Sequence, residues 1–143
     1  MEDYSQKEVT RYLLRYHDAA DNIESLTAEK ERIEDTIYSL TASMSDTGSS
    51  GGSSGDKIGD GVARLCDIVK QIDTEILLYE KSRDEVRRVI NRVKDANMML
   101  GQCLHYRYID CKGAYATASD MGLSARQERR IHRKALSVAA RYM

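Results

Sequence analysis

The feature that most constrains this chain is a hydrophobic repeat of alternating three- and four-residue spacing, which runs without a glycine or proline from Asp3 to Met44. One series seven residues apart is Val9, Tyr16, Ile23, Lys30, Ile37 and Met44; the other is Tyr12, Ala19, Leu26, Ile33 and Leu40. Ten of these eleven positions are apolar, so a helix here carries one continuous seam that needs a second helix to cover it. The repeat returns with Val62, Val69, Ile76, Arg83, Ile90, Asn97 and Leu104 in one series and Leu65, Ile72, Tyr79, Val86, Val93 and Leu100 in the other. Eleven of these thirteen are apolar.

Between the two stretches the chain reads Ser-Asp-Thr-Gly-Ser-Ser-Gly-Gly-Ser-Ser-Gly over 45–55, followed by Asp56-Lys57-Ile58-Gly59-Asp60-Gly61. This composition predicts a flexible linker over 45–61. Neither helix can bury its seam alone, so the pair is expected to fold back antiparallel or to pair with a second chain. Setting Met44 opposite Val62 places Lys30 beside Glu75 and Ile76, and Arg83 beside Asn22 and Asp21. Both seam-breaking cations then gain a polar or acidic neighbour.

A chain of 143 residues is one domain or two small ones sharing a long element. The absence of Pro, Trp and Phe argues for long helices and against a β-sandwich or barrel. No apolar run approaches the roughly 18 residues needed to span a bilayer. The opening Met1-Glu2-Asp3-Tyr4 is acidic and polar, unlike a signal peptide, and three cysteines are an odd number. Reduced thiols in a cytoplasmic protein are the expectation.

Formal net charge is −1, from 22 basic and 23 acidic residues, but it is unevenly spread. From Ala96 to Met143 there are eight basic and three acidic residues, a net +5, leaving −6 for the first 95. A nucleic-acid-binding end joined to an oligomerising or partner-binding end has this asymmetry. Two domains are expected: a coiled-coil hairpin over 1–95 and a DNA-binding module over 96–143.

Helical signals in the second region break at Cys111-Lys112-Gly113 and again at Gly122. The stretch Met121-Gly122-Leu123-Ser124 has the anatomy of a helix-turn-helix: a helix ends, glycine turns the chain, leucine plugs the core, and serine caps the next helix. At 100° per residue, with Ile131 as the inward centre, Ser124, Ala135, Val138 and Tyr142 cluster on one side. Arg126, Arg129 and Arg133 fall opposite, and Arg130 flanks them. Arginines in such a place donate to guanine edges or bind phosphates, with Lys134, Lys112 and Arg107 as candidate backbone contacts and Ser124 at the helix start. Other chemistry is thin. Cys103, His105, Cys111 and His132 contain no Cys-x-x-Cys pair, and the glycines near residue 50 lack the Lys-Ser/Thr ending of a phosphate loop. No metal, cofactor, small-molecule substrate or catalytic residue is expected.

The run Leu104-His105-Tyr106-Arg107-Tyr108-Ile109-Asp110, with Met121-Gly122-Leu123-Ser124 and His132-Arg133-Lys134-Ala135-Leu136, resembles region four of bacterial sigma factors. More closely, it is similar to phage late-transcription regulators of the RinA/ArpU-like group, as is Asp56-Lys57-Ile58-Gly59-Asp60-Gly61-Val62. The resemblance covers most of 56–143. It implies a sequence-specific duplex-DNA-binding activator of phage or mobile-element genes, working in the cytoplasm of a bacterial host. Where that group shows Glu-Ile-Ala, this chain has Ala116-Thr117-Ala118, and Glu128 stands where an apolar residue is common; a carboxylate near the docked face would repel phosphate or need a basic partner. The expected protein is an all-α homodimer that reads the major groove, with an acidic hairpin that serves for oligomerisation or for contact with RNA polymerase. The alternative is a coiled-coil interaction or DNA-packaging component without regulatory activity.

Overall fold

The computed structural model describes residues 4–47 and 52–143. It is all-α. Among the described residues the order is α1 (Gln6–Leu13), α2 (Arg15–Thr47), α3 (Gly52–Ala96), α4 (Met98–Leu104), a π-helical turn (His105–Ile109), α5 (Ala114–Met121), α6 (Ala125–Ala139) and a closing 3-10 turn (Ala140–Tyr142). α2 and α3 form a long antiparallel pair, and shorter helices follow. No helix among the described residues is long and apolar enough to cross a membrane. Contacts divide the chain into two compact units, His17–Tyr79 and a composite of Met1–Tyr16 with Glu80–Met143. This division differs from the boundary expected near residue 95, because α1 and residues 80–96 of α3 belong with the C-terminal helices.

In the first unit the α2 seam follows the sequence repeat. Ile23, Leu26, Lys30, Ile33, Ile37 and Leu40 are buried or half-buried, and the residues between them are exposed apart from Glu29. On α3 only one expected series points inward, namely Leu65, Ile72 and Tyr79. The other is rotated by one residue: Gly61, Ile68 and Glu75 face the seam, and Val62, Val69 and Ile76 are exposed. A glycine and a glutamate on the seam disguise this face in the sequence. Gly61 is there for closeness, since a Cβ on it would come within 3.0 Å of Ile37 Cγ1.

The pairing register also differs from that set by Met44 opposite Val62. Asn22 Nδ2 donates to Glu75 Oε2 at 3.4 Å, and Arg64 Nη2 lies 3.7 Å from Glu29 Oε1. Lys30 does not reach Glu75 and pairs along its own helix with Glu34 at 3.5 Å. The reason is that α2 persists to Thr47 and α3 begins at Gly52, so 45–47 and 52–61, expected as flexible linker, are helical. Helix thus extends into a stretch whose composition alone favours coil, and Gly61 within it lies close to Ile37 of α2. Residues 48–51 of that linker lie outside the described residues.

The composite unit opens with a capping box. Ser5 Oγ accepts from the Glu8 N–H at 3.3 Å, and Glu8 Oε2 accepts from the Ser5 N–H at 2.6 Å. The helix expected to run unbroken from Asp3 is divided at Leu14, because α1 turns its buried Val9 and Leu13 against α6. Val86, Val89, Ile90 and Val93 of α3, Leu100, Cys103 and Leu104 of α4, and Ala135, Leu136 and Ala139 of α6 complete the core. α3 stops at Asn97, whose extended backbone and side-chain bond from the Leu100 N–H at 3.2 Å cap α4. α4 then folds back so tightly that a Cβ on Gly101 would sit 2.6 Å from Lys94 Cα and 2.7 Å from Lys94 N.

Two glycine substitutions should therefore have opposite signs. Gly101→Ala meets backbone that cannot give way and is expected to destabilise by roughly 2–3 kcal/mol. Gly59→Ala, on exposed helix with nothing within 4 Å, is expected to stabilise by about 0.5–1 kcal/mol. Urea denaturation followed by circular dichroism measures both.

Candidate nucleic-acid interface

α5 and α6 are joined by a turn whose hydrogen bonds are fully made. Gly122 adopts φ 68° and ψ 33°, its N–H donates to the Ser119 carbonyl at 3.2 Å, and the Leu123 N–H donates to the Ala118 carbonyl at 2.8 Å. This is the six-to-one and five-to-two pairing by which a left-handed residue stops a helix, and glycine is the residue that adopts it without strain. Ser124 then starts α6 with a second capping box: its Oγ accepts from the Gln127 N–H at 3.2 Å, and Gln127 Oε1 accepts from the Ser124 N–H at 3.0 Å. The turn chemistry is as the residues 121–124 suggest.

Polar groups fix the inner face of α6. Glu128 has no exposed surface, and Arg107 of the π-helical turn grips both its oxygens, Nε to Oε1 at 2.7 Å and Nη2 to Oε2 at 3.1 Å. Cys103 Sγ lies 3.7 Å from the same Oε1; burial first, and then the Glu128 charge, push that thiol up to about 12. One turn along, the Tyr108 hydroxyl meets His132 Nε2 at 2.7 Å, the two rings stack with centroids 5.7 Å apart, and Thr10 of α1 hydrogen-bonds the Tyr108 hydroxyl. Tyr16 donates to the Tyr108 carbonyl. Thr117, the hydroxyl expected in place of an apolar plug, is fully buried on α5, and its Oγ1 has no hydrogen-bond partner among the described residues.

These contacts roll α6 relative to the sequence expectation. The buried residues are Glu128, Ala135, Leu136 and Ala139, while Ile131, the expected centre, is half-buried. At 100° per residue the inward direction lies roughly 60° from Ile131. Arg126, Arg130 and Arg133 consequently lead the outward face, Arg129 and Lys134 flank it, and all five are exposed. Arg141 in the closing turn extends the same face and was not among the sequence candidates. No carboxylate among the described residues pairs with any of these six.

The remaining candidates are placed differently. Arg107 is taken up by Glu128 and is not free to meet a phosphate. Lys112 pairs with Asp120 and stands 5.0 Å over the Tyr106 ring; its ion pair is at the surface, where such pairs are weak. Ser124 uses its hydroxyl as the cap. No group of three potential metal-ligating side chains occurs among the described residues, and none of the three cysteines is in a disulfide, Cys103 being buried and Cys66 and Cys111 exposed.

Charge separates more sharply by compact unit than by position along the chain. The unit His17–Tyr79 holds 13 acidic and five basic residues, a net −8. The composite unit holds 17 basic and ten acidic, a net +7.

The buried pair gives a double-substitution prediction. Arg107→Ala leaves a carboxylate in the core and should cost about 3–5 kcal/mol, whereas Arg107→Met with Glu128→Leu should recover most of that loss in thermal unfolding. His132 gives a pH prediction. Burial, followed by the Arg107 charge and opposed by Glu128, lowers its imidazole to about 4. The unfolded chain then binds the extra proton between pH about 6.5 and 4, so stability is full above that window and falls by roughly 3 kcal/mol across it. His132→Gln should flatten this limb in denaturation midpoints measured against pH.

Compared with protein-family models, with curated proteins and with solved structures, the chain matches none of them.

Proposed function

We propose that this chain is a sequence-specific duplex-DNA-binding transcriptional regulator, an activator, in which α5 and α6 form a helix-turn-helix with α6 as the recognition helix. The observation that carries the reading is the outward face of α6: Arg126, Arg129, Arg130, Arg133 and Lys134, with Arg141 in the closing turn, stand exposed and pair with no carboxylate among the described residues, on a helix that follows a Gly122 turn and a Ser124 cap. A helix of this width enters the major groove, where arginine donates bidentately to guanine and lysine or arginine holds phosphates. The +7 charge of the composite unit supplies the attraction to phosphate. The resemblance to sigma region four and to RinA/ArpU-like phage regulators points to the same activity.

The acidic unit is read as a coiled-coil hairpin that joins two copies and touches RNA polymerase. Exposed Val62, Val69 and Ile76, seven residues apart on α3, support a protein-facing role. They also favour the second reading, an interaction or DNA-packaging component that works through the hairpin.

Selection of bound duplexes from a random library at physiological salt tests the proposal. Wild type is expected to enrich one motif as paired half-sites, and Arg126→Ala/Arg130→Ala/Arg133→Ala to lose it with helix content unchanged, each base-reading arginine being worth about 1–3 kcal/mol. Failure of the wild type to enrich any sequence overturns the proposal in favour of the hairpin reading.

A further inference from the structure

The composite unit carries a second group of cations that the recognition helix does not use. Arg88 and Arg92 lie at i and i+4 on α3, both exposed, a spacing that sets their side chains side by side on one face. With Tyr12 of α1, Glu85 and Val89 of α3, and Tyr142 of the closing turn, they line a cleft of about 160 Å³. Glu85 is the one carboxylate among these residues, and Arg15 already occupies it, with Nη2 2.5 Å from Oε2. That bond, more than any other influence, holds the Glu85 carboxyl below the usual carboxylate range. Arg15 also lies 4.1 Å over the Tyr12 ring.

Neither Arg88 nor Arg92 forms an ion pair with a carboxylate among the described residues, and only Arg88 feels the Glu85 charge, at longer range. Two like charges one turn apart repel each other, so the arrangement favours an anion that both can grip. The planar guanidinium matches the oxygens of a phosphate, and the half-buried Tyr12 and Tyr142 that line the same cleft carry phenol groups able to donate to one. Tyr12 stays protonated, since burial pushes its phenol up.

We infer that the cleft of Arg88, Arg92, Tyr12 and Tyr142 binds a phosphate group, and that in the DNA-bound protein it takes a backbone phosphate away from the recognition helix. The phosphate site stands on the cleft alone; its DNA source rests on the proposed function. This site anchors without reading bases, so it adds affinity uniformly across sequences.

The test compares full-length wild type with Arg88→Gln/Arg92→Gln, whose side chains are exposed and whose folding is checked by thermal melting. Inorganic pyrophosphate is titrated while NMR follows residues 88–92 and Tyr142, and non-specific duplex affinity is measured across a salt series. Wild type is expected to show saturable shifts at these residues, weakened about tenfold or more in the variant. The variant's slope of log affinity against log salt should fall by about one, with the selected motif unchanged. Arginine-dependent pyrophosphate binding with an unchanged DNA slope supports the site but overturns DNA as its source. The same binding in a wild type that fails to bind duplex overturns the proposed function and leaves the site standing. Pyrophosphate shifts that are absent, or equal in both proteins, overturn the site.

Discussion

The buried Arg107–Glu128 pair sets the roll of α6, and the composition of its outward face follows from that roll. A carboxylate with no exposed surface is tolerable only if its oxygens are satisfied, and the two guanidinium bonds at 2.7 and 3.1 Å do this. Once Glu128 is fixed inward, Ala135 and Ala139 must follow it on the same side of the helix, and Arg126, Arg130, Arg133 and Arg141 must lie outward. His132, one turn beyond, is then delivered to the Tyr108 hydroxyl. Tyr108 in turn ties α6 to α1 through Thr10 and to the start of α2 through Tyr16. The orientation of the basic face is thus fixed by polar contacts made beneath it.

Segregation of charge by compact unit gives the basic face its setting. Of the 22 basic residues, 17 belong to the composite unit, including six from residues 80–96 of α3. Those six lie in a stretch that sequence order assigns to the acidic part of the chain. Their grouping with α4 to α6 extends the basic residues of this unit beyond α6 and brings Arg88 and Arg92 to the cleft beside Tyr12 and Tyr142. In the acidic unit the seam is thin: Ala19, Ile33 and Ile68 are its only fully buried apolar residues among those described. Gly61 and Glu75 on that seam exchange side-chain volume for close approach and for a bond to Asn22.

Much of the local structure was legible in the sequence. The heptad repeat announces two long helices, and the α2 seam follows it from Ile23 to Leu40. Gly122 and Ser124 behave as their chemistry requires, because a left-handed turn and a helix cap are decided within a few residues. The Ser5-x-x-Glu8 capping box starts α1 at a signal of the same local kind, which the repeat counted from Asp3 passes over. What the repeat concealed is that Val62, Val69 and Ile76 continue an apolar series while facing away from α2. Register was hidden for the same reason: every shift by a full turn matches apolar residues to apolar residues, and the choice falls to Gly61 against Ile37 and to Asn22 against Glu75.

For the candidate site, the sequence by itself determined the all-helical class, the position of the turn and the excess of arginine on α6. It did so because periodicity, capping and charge are properties of neighbours along the chain. Only the tertiary structure decided which arginines lead the outward face, that Arg107 turns inward, and that Arg88 and Arg92 share a cleft with residues 12 and 142. Those outcomes depend on which charge can be buried against which partner, and Arg107 and Glu128 become partners only when the π-helical turn and α6 are packed together.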